Sequence, residues 1–268
     1  MGFYAPSLAY VNQTDMQVSL EFWAQEIASQ QKIVKSAPVT IFTNIELMAQ
    51  ALEQAELDMV VAPPLEMARY FKRELLDDGL LSIQNENDQN SILILVKKSD
   101  KINTASDLKN KRLLIDKTDI LSKVVLENFL LKNLKKGALQ VFGEVMEAID
   151  SNRMVLDLFF DKADVAVIYS NSFQTMAELN PQVKDKLIAF YNYPIKTRNL
   201  SFFRKGYPYN KEMLEIATNL KTPRLQQILE VFHTESIQPC SVSELDAYDE
   251  IYREYINLNK EAHLDILY

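Results

Sequence analysis

Residues that could carry covalent chemistry are scarce in this sequence. Its two histidines, His233 and His263, stand far apart on helical patterns and match neither HExxH nor any paired-ligand spacing. The single cysteine, Cys240, rules out an internal disulfide, and with no CxxC partner and no nearby histidine of triad type it is a poor candidate nucleophile. With five glycines, and neither GxGxxG nor GxxxxGK[ST], the Gly-rich phosphate loops of nucleotide enzymes are excluded, and no cofactor motif is present. What remains is the chemistry of binding. The clearest candidate is "RLLIDKTDILS" (112–122), where an apolar strand runs straight into a helical pattern through Asp116-Lys117-Thr118-Asp119. A strand feeding a helix N-terminus presents N–H groups to an anion. This turn, however, has no glycine and carries two carboxylates. A calcium site takes about six to eight oxygens, more than the turn offers, so no metal is expected. Thr118 reads as a hydroxyl aimed at a ligand. Asp119 reads either as a helix cap or as a ligand contact, and at a helix start it would oppose a dianion.

Further polar and aromatic residues fall at strand ends. Tyr4 and Ser7 follow the first strand, Ala62 and Pro63 end the third, and Tyr169, Ser170 and Asn171 end a later one. In sheets of this kind the carboxyl ends of parallel strands face the ligand crevice. Lys196 and Arg198 lie in a later connection, where an arginine fork suits a carboxylate or phosphate.

The elements that must position these residues alternate. Strand-like runs occupy 2–5, 38–43, 57–63, 91–98, 112–116, 139–143, 163–169, 186–191 and 200–205. Several are unbroken apolar runs, as expected for strands covered on both faces. Helical patterns fill 14–30, 45–55 (capped by Asn44), 122–133, 144–160, 171–179, 210–220, 223–233 and 243–260, with Pro64, Pro181 and Pro223 at first-turn positions. The fold class is α/β with mostly parallel sheets. Polar "QNENDQN" (84–90) and "YNYPIKTRNL" (191–200) break the pattern. Two breaks about a hundred residues apart imply an inserted domain: an outer lobe of 1–91 plus 193–268, an inner lobe of 92–192, two hinge crossovers and a cleft.

Composition narrows the partners. A net charge of -8, with no basic run longer than two residues, argues against nucleic acid. No apolar run approaches the roughly 18–20 residues that span a bilayer. "MGFYAPSLAY" lacks the basic start and apolar centre of a signal peptide and reads as a strand from residue 2, an abrupt opening expected of a chain whose leader has been removed and equally of a cytosolic chain.

The order of motifs resembles the type II periplasmic solute-binding proteins, in the phosphate/phosphonate branch of ABC-importer binding components. "GFYAPSL" is similar to that family's first strand and ligand loop, and "FTNIELMAQALEQAELDMVVAPP" to its second strand, helix and third strand. "VKKSDKINTASDLKNKRLLIDKTD" resembles its entry into the second lobe, and "ADVAVIYSNSFQTMAELNP" its return toward the hinge. The resemblance implies a two-lobed binding protein, not an enzyme, that captures a small phosphonate- or phosphate-like oxyanion for an ABC permease outside the cytoplasm. One departure stands out. Where phosphonate binders carry a Ser-Thr-Ser-Gly run opening a helix, this chain has Asp116-Lys117-Thr118-Asp119. Two alternatives keep the fold and change the role. One is the ligand-sensing extracellular domain of a signalling protein such as a histidine kinase. The other is a biosynthetic enzyme, for which the sequence supplies poor nucleophiles and bases.

Overall fold

The computed structural model describes residues 1–8, 18–22, 25, 38–83, 90–219, 229 and 234–268. Along the chain the elements are β1 (Gly2–Tyr4), β2 (Thr40–Phe42), α1 (Ile45–Glu53), β3 (Met59–Ala62), α2 (Pro64–Tyr70), β4 (Leu76–Ile83) and β5 (Ser91–Lys97). There follow β6 (Arg112–Asp116), α3 (Ile120–Leu134), α4 (Ala138–Val141), β7 (Glu144–Ala148), α5 (Ser151–Phe159), β8 (Val165–Tyr169), α6 (Ser170–Leu179) and α7 (Pro181–Lys186). The last are β9 (Leu187–Pro194), β10 (Leu200–Arg204), α8 (Asn210–Asn219), β11 (Ser236–Cys240) and α9 (Asp246–Ala262). The expected helix over 223–233 and most of that over 14–30 lie outside the described residues, as does most of the polar 84–90 break.

The chain forms two compact units, Met1–Asp88 with Thr197–Asp249 and Gln89–Lys196 with Glu250–Tyr268. The expected outer lobe kept all of 193–268 together with two crossovers. Instead 250–268 belongs to the second unit, so the chain passes between units a third time, within α9. The reason is local. Asn128 Nδ2, buried on α3, donates to the Ile251 carbonyl at 3.0 Å, Lys132 pairs with Glu254 at 2.8 Å, and Tyr255 is fully buried. The start of α9 stays with the first unit, where Arg73 pairs with Asp249 at 2.6 Å. At the second passage Thr197 Oγ1 donates to the Ser82 carbonyl at 2.8 Å, while Ile195 N–H, two residues earlier, donates to Asn90 at 2.7 Å within the other unit.

The first unit's sheet has the order β11-β4-β10-β3-β1-β2. Strand β1 runs parallel to β2 and β3, whereas β10 is antiparallel to β3 and β4, and β11 to β4. Side chains alternate between two cores, as a period of two requires. Val60, Leu81 and Phe202 pack with Met48, Leu52 and Met67 of α1 and α2. Their neighbours Met59, Leu80 and Phe203 pack on the other face with Met213 and Ile216 of α8. The second sheet has the order β7-β6-β8-β5-β9, with β6 parallel to β7 and β8, and β5 antiparallel to β8 and β9. Leu93, Leu95, Ala166 and Ile168 meet α5 and α6 through Met154, Leu158 and Met176, while α3 packs on β5, β6 and β8. Both sheets are mixed, not mostly parallel. The runs at 91–98 and 163–169 are apolar because both faces are covered, a property that buried antiparallel strands share with parallel ones.

Two more expectations are corrected. The run at 139–143 is not a strand. Residues 138–141 form α4, whose first N–H, that of Ala138, donates to both oxygens of buried Glu127 at 3.1 and 3.2 Å. The pattern 144–160 is not one helix but β7, a turn capped by Asp150 that accepts from Asn152 and Arg153 N–H groups, and α5.

Candidate functional site

In the first unit, β1 and β3 are parallel neighbours paired Phe3 to Val61, so Tyr4 and Ala62 end side by side at the same sheet edge. Tyr4 is half-buried, and burial, with the nearby Glu66 carboxylate and Tyr70, pushes its hydroxyl pKa above the usual value. Glu66, in the first turn of α2, is itself buried. Pro63 caps α2 in an extended conformation with no side-chain bond, and Pro64 opens it, as a missing N–H permits. Ala62 is fully buried in the core and offers a ligand only its backbone. Ser7 lies in the 3-10 turn after β1.

In the second unit, β6 and β8 are parallel neighbours, paired Ile115 to Val167. Their carboxyl ends therefore bring the Asp116–Asp119 turn and Tyr169-Ser170-Asn171 to one edge. The Tyr169 side chain is mostly buried. Ser170 Oγ accepts the Ser91 N–H at 3.1 Å, tying the start of β5 to the head of α6. Asn171 Oδ1 accepts the Ser172 N–H at 2.9 Å.

The turn is closed on itself. Thr118 N–H donates to Asp116 Oδ1 at 2.8 Å, and Thr118 Oγ1 donates to the same oxygen at 2.9 Å. Asp116 is almost fully buried. The protein's own carboxylate thus takes both donors of Thr118. Asp119 caps α3 by accepting the Ser122 N–H at 3.2 Å, and Ser122 Oγ returns a bond to the Asp119 carbonyl at 3.2 Å. The second oxygen of Asp119, Oδ2, is buried with no hydrogen-bond partner. Lys117 is exposed; its N–H donates to Ala148 at 2.8 Å, and its carbonyl accepts from Lys123 Nζ at 2.8 Å. Among the described residues, no three His, Cys, Asp or Glu side chains are grouped to hold a metal, and no helix is long and apolar enough to cross a membrane.

A family model described as ABC transporter, phosphonate, periplasmic substrate-binding protein matches residues 9–245. The chain belongs to this family. No curated protein sequence matches it. Several solved structures share its fold. A binding-protein component of an ABC phosphonate transporter from Pseudomonas aeruginosa superposes with a TM-score of 0.69 at 11% identity, over 98% of this chain and 88% of that one. A Prochlorococcus marinus protein in complex with methylphosphonate gives 0.68 at 15% identity, over 96% and 97%. A Xanthomonas citri protein bound to ATP gives 0.65 at 13% identity, over 97% and 97%. At such identities the likeness is one of fold, the periplasmic-binding-protein fold expected from the sequence.

The turn after β6 supplies its own anion, Asp116, to the donors of Thr118. Sequence reasoning placed the strand ends and the Asp119 cap. It missed the roles of Asp116 and Lys123. The signal for Asp116 was its spacing two residues before Thr118, an arrangement in which an aspartate folds onto the backbone ahead. Lys123 reaches back to the Lys117 carbonyl, but its other partners, from β7 and from beyond α9, leave no mark in the local sequence.

Proposed function

We propose that this chain is the substrate-binding component of an ABC importer, acting outside the cytoplasm, binding a small oxyanionic solute of phosphonate or phosphate type and delivering it to a membrane permease. The family match over residues 9–245 carries the reading. The expected contacts are the strand ends of each unit: Tyr4, Ser7 and the Ala62-Pro63 backbone in the first, and Thr118, Asp119, Tyr169, Ser170 and Asn171 in the second. Binding acts through a higher affinity for one conformation than for another, which is what a permease reads. The sensor and enzyme alternatives draw no support from a family of importer components.

The turn qualifies the ligand. Thr118 gives both its donors to Asp116, and the unpartnered Asp119 oxygen lies at the head of α3. A bare phosphonate dianion meets repulsion there, worth about 1 kcal/mol or more at contact distance. The test is calorimetric titration of methylphosphonate, 2-aminoethylphosphonate and phosphate into wild type, Thr118→Ala and Asp119→Asn. The expected result is weak binding by wild type and tighter binding by Asp119→Asn, which keeps the cap and removes the charge. Loss of binding in Thr118→Ala would make that hydroxyl a direct contact. If neither substitution changes affinity, the turn is only a connection between strand and helix. If none of the three solutes binds any of the three proteins, the oxyanion assignment falls.

A further inference from the structure

We propose that Lys123 is a positioning residue that locks the peptide plane between Lys117 and Thr118, and that Tyr268 holds Lys123 in place. Lys123 stands in the first turns of α3, and its side chain is only 10% exposed, an unusual burial for an ammonium. Its Nζ donates to the Lys117 carbonyl at 2.8 Å. The same ammonium lies 3.8 Å from Glu147 Oε1 on β7 and 5.3 Å from the centre of the Tyr268 ring. A carboxylate and the negative face of an aromatic ring thus surround the remaining donors. Tyr268 is fixed in turn. Its carbonyl accepts from the Tyr252 hydroxyl at 2.8 Å, and the preceding Leu267 N–H donates to the Tyr255 hydroxyl at 2.9 Å.

The Lys117 carbonyl and the Thr118 N–H belong to one rigid peptide unit and point in opposite directions. Lys123 holds the oxygen, and Asp116 Oδ1 holds the hydrogen at 2.8 Å. Rotation of that plane would carry the Thr118 N–H away from Asp116 and break both contacts together. Lys123 therefore keeps the donor of Thr118 turned onto the internal carboxylate. The segment after α9, distant in sequence, decides through Tyr268 how firmly it does so. The bearing of this lock on solute capture rests on the reading of the turn given above.

Residue-resolved amide hydrogen exchange on the whole chain tests the lock. In Lys123→Met, which keeps the apolar stem, the Thr118 amide is expected to exchange about tenfold faster or more, the effect of losing one charge-assisted hydrogen bond. The amides of β8 should be unchanged. Lys123→Arg should restore most of the protection. Tyr268→Leu should accelerate Thr118 severalfold, while Tyr268→Phe, which keeps the ring, should not. An unchanged Thr118 amide in Lys123→Met, or equal acceleration in β8, overturns the proposal. Methylphosphonate titration of the same variants addresses the solute reading separately. If exchange changes and affinity does not, the lock stands and the turn is not a solute contact.

Discussion

Glu127 offers the sharpest test of the second unit's packing. Its side chain sits on α3 at 3% exposure, with both oxygens on the Ala138 N–H at 3.1 and 3.2 Å. Burial drives its pKa from an ordinary 4.5 to about 7, against the opposing effect of the Ala138 hydrogen bond. The folded state therefore holds a proton that the unfolded chain releases near 4.5. The stabilisation is fully present below pH 4.5, declines as pH rises, and is gone above about 7. At about 1.36 kcal/mol per tenfold in proton affinity, the whole swing is worth roughly 3 kcal/mol. Glu127→Gln keeps an oxygen for Ala138 and cannot ionise. The variant should match wild type near pH 4 and exceed it by about 2–3 kcal/mol at pH 8. Urea denaturation of both proteins across this range, read as a difference, isolates the one carboxyl from all others. A difference that stays flat from pH 4 to 8 would show that Glu127 binds its proton no more tightly in the folded protein than in the unfolded chain, and would refute the reasoning.

Two other outcomes follow from geometry. A Cβ on Gly79 would lie 1.8 Å from the Ser201 carbonyl oxygen, so Gly79→Ala should destabilise the first unit by at least about 3 kcal/mol; a melting temperature equal to wild type would contradict the β4–β10 register. Asp164 is held down to about 2 from an ordinary 3.8, mainly by hydrogen bonds from the Arg112 guanidinium. Its contribution is present above 3.8 and is lost as pH falls toward 2. Because the pair faces solvent it is worth only about 1 kcal/mol, and Asp164→Asn should flatten the acid limb of the stability curve by that amount.

The parts of the fold that were legible in the sequence were those whose apolar pattern has one physical cause. The runs at 91–98 and 163–169 are continuous because both faces are covered, and Asn44 and Asp119 announce helices by their capping chemistry. The illegible strands each carry a contrary signal. Strand β4 reads "LDDGLLSI", and Asp-Asp-Gly spells a turn; here the register shifts beside Gly79, which is needed so that β10 can approach. Strand β11 contains Pro239, tolerated because it lies at a sheet edge. Strand β7, at an edge of the second unit's sheet, reads "EVMEA", whose glutamates stand three apart as on a helix, and helical periodicity claimed it instead. Strand direction was also hidden, since burial leaves the same pattern in parallel and antiparallel neighbours. At the candidate site, the residue types were visible but their mutual bonds were not. The spacing of Asp116 two residues before Thr118 favours the bond between them, whereas the Lys123 side-chain contact on the same peptide plane is reported by no spacing rule.

The place of β10, between β3 and β4 in the first sheet, has a consequence for biosynthesis. Strands β3 and β4 are not neighbours; each pairs with β10, which is made only after the greater part of the second unit. At about 5–20 residues per second, the delay between β4 and β10 leaving the ribosome is on the order of ten seconds. Throughout that interval β1, β2 and β3 can pair with one another, but β4 has neither of its partners, because β11 follows β10 in the chain. The first unit therefore completes its sheet only once both β10 and β11 have been made, late in translation or after it.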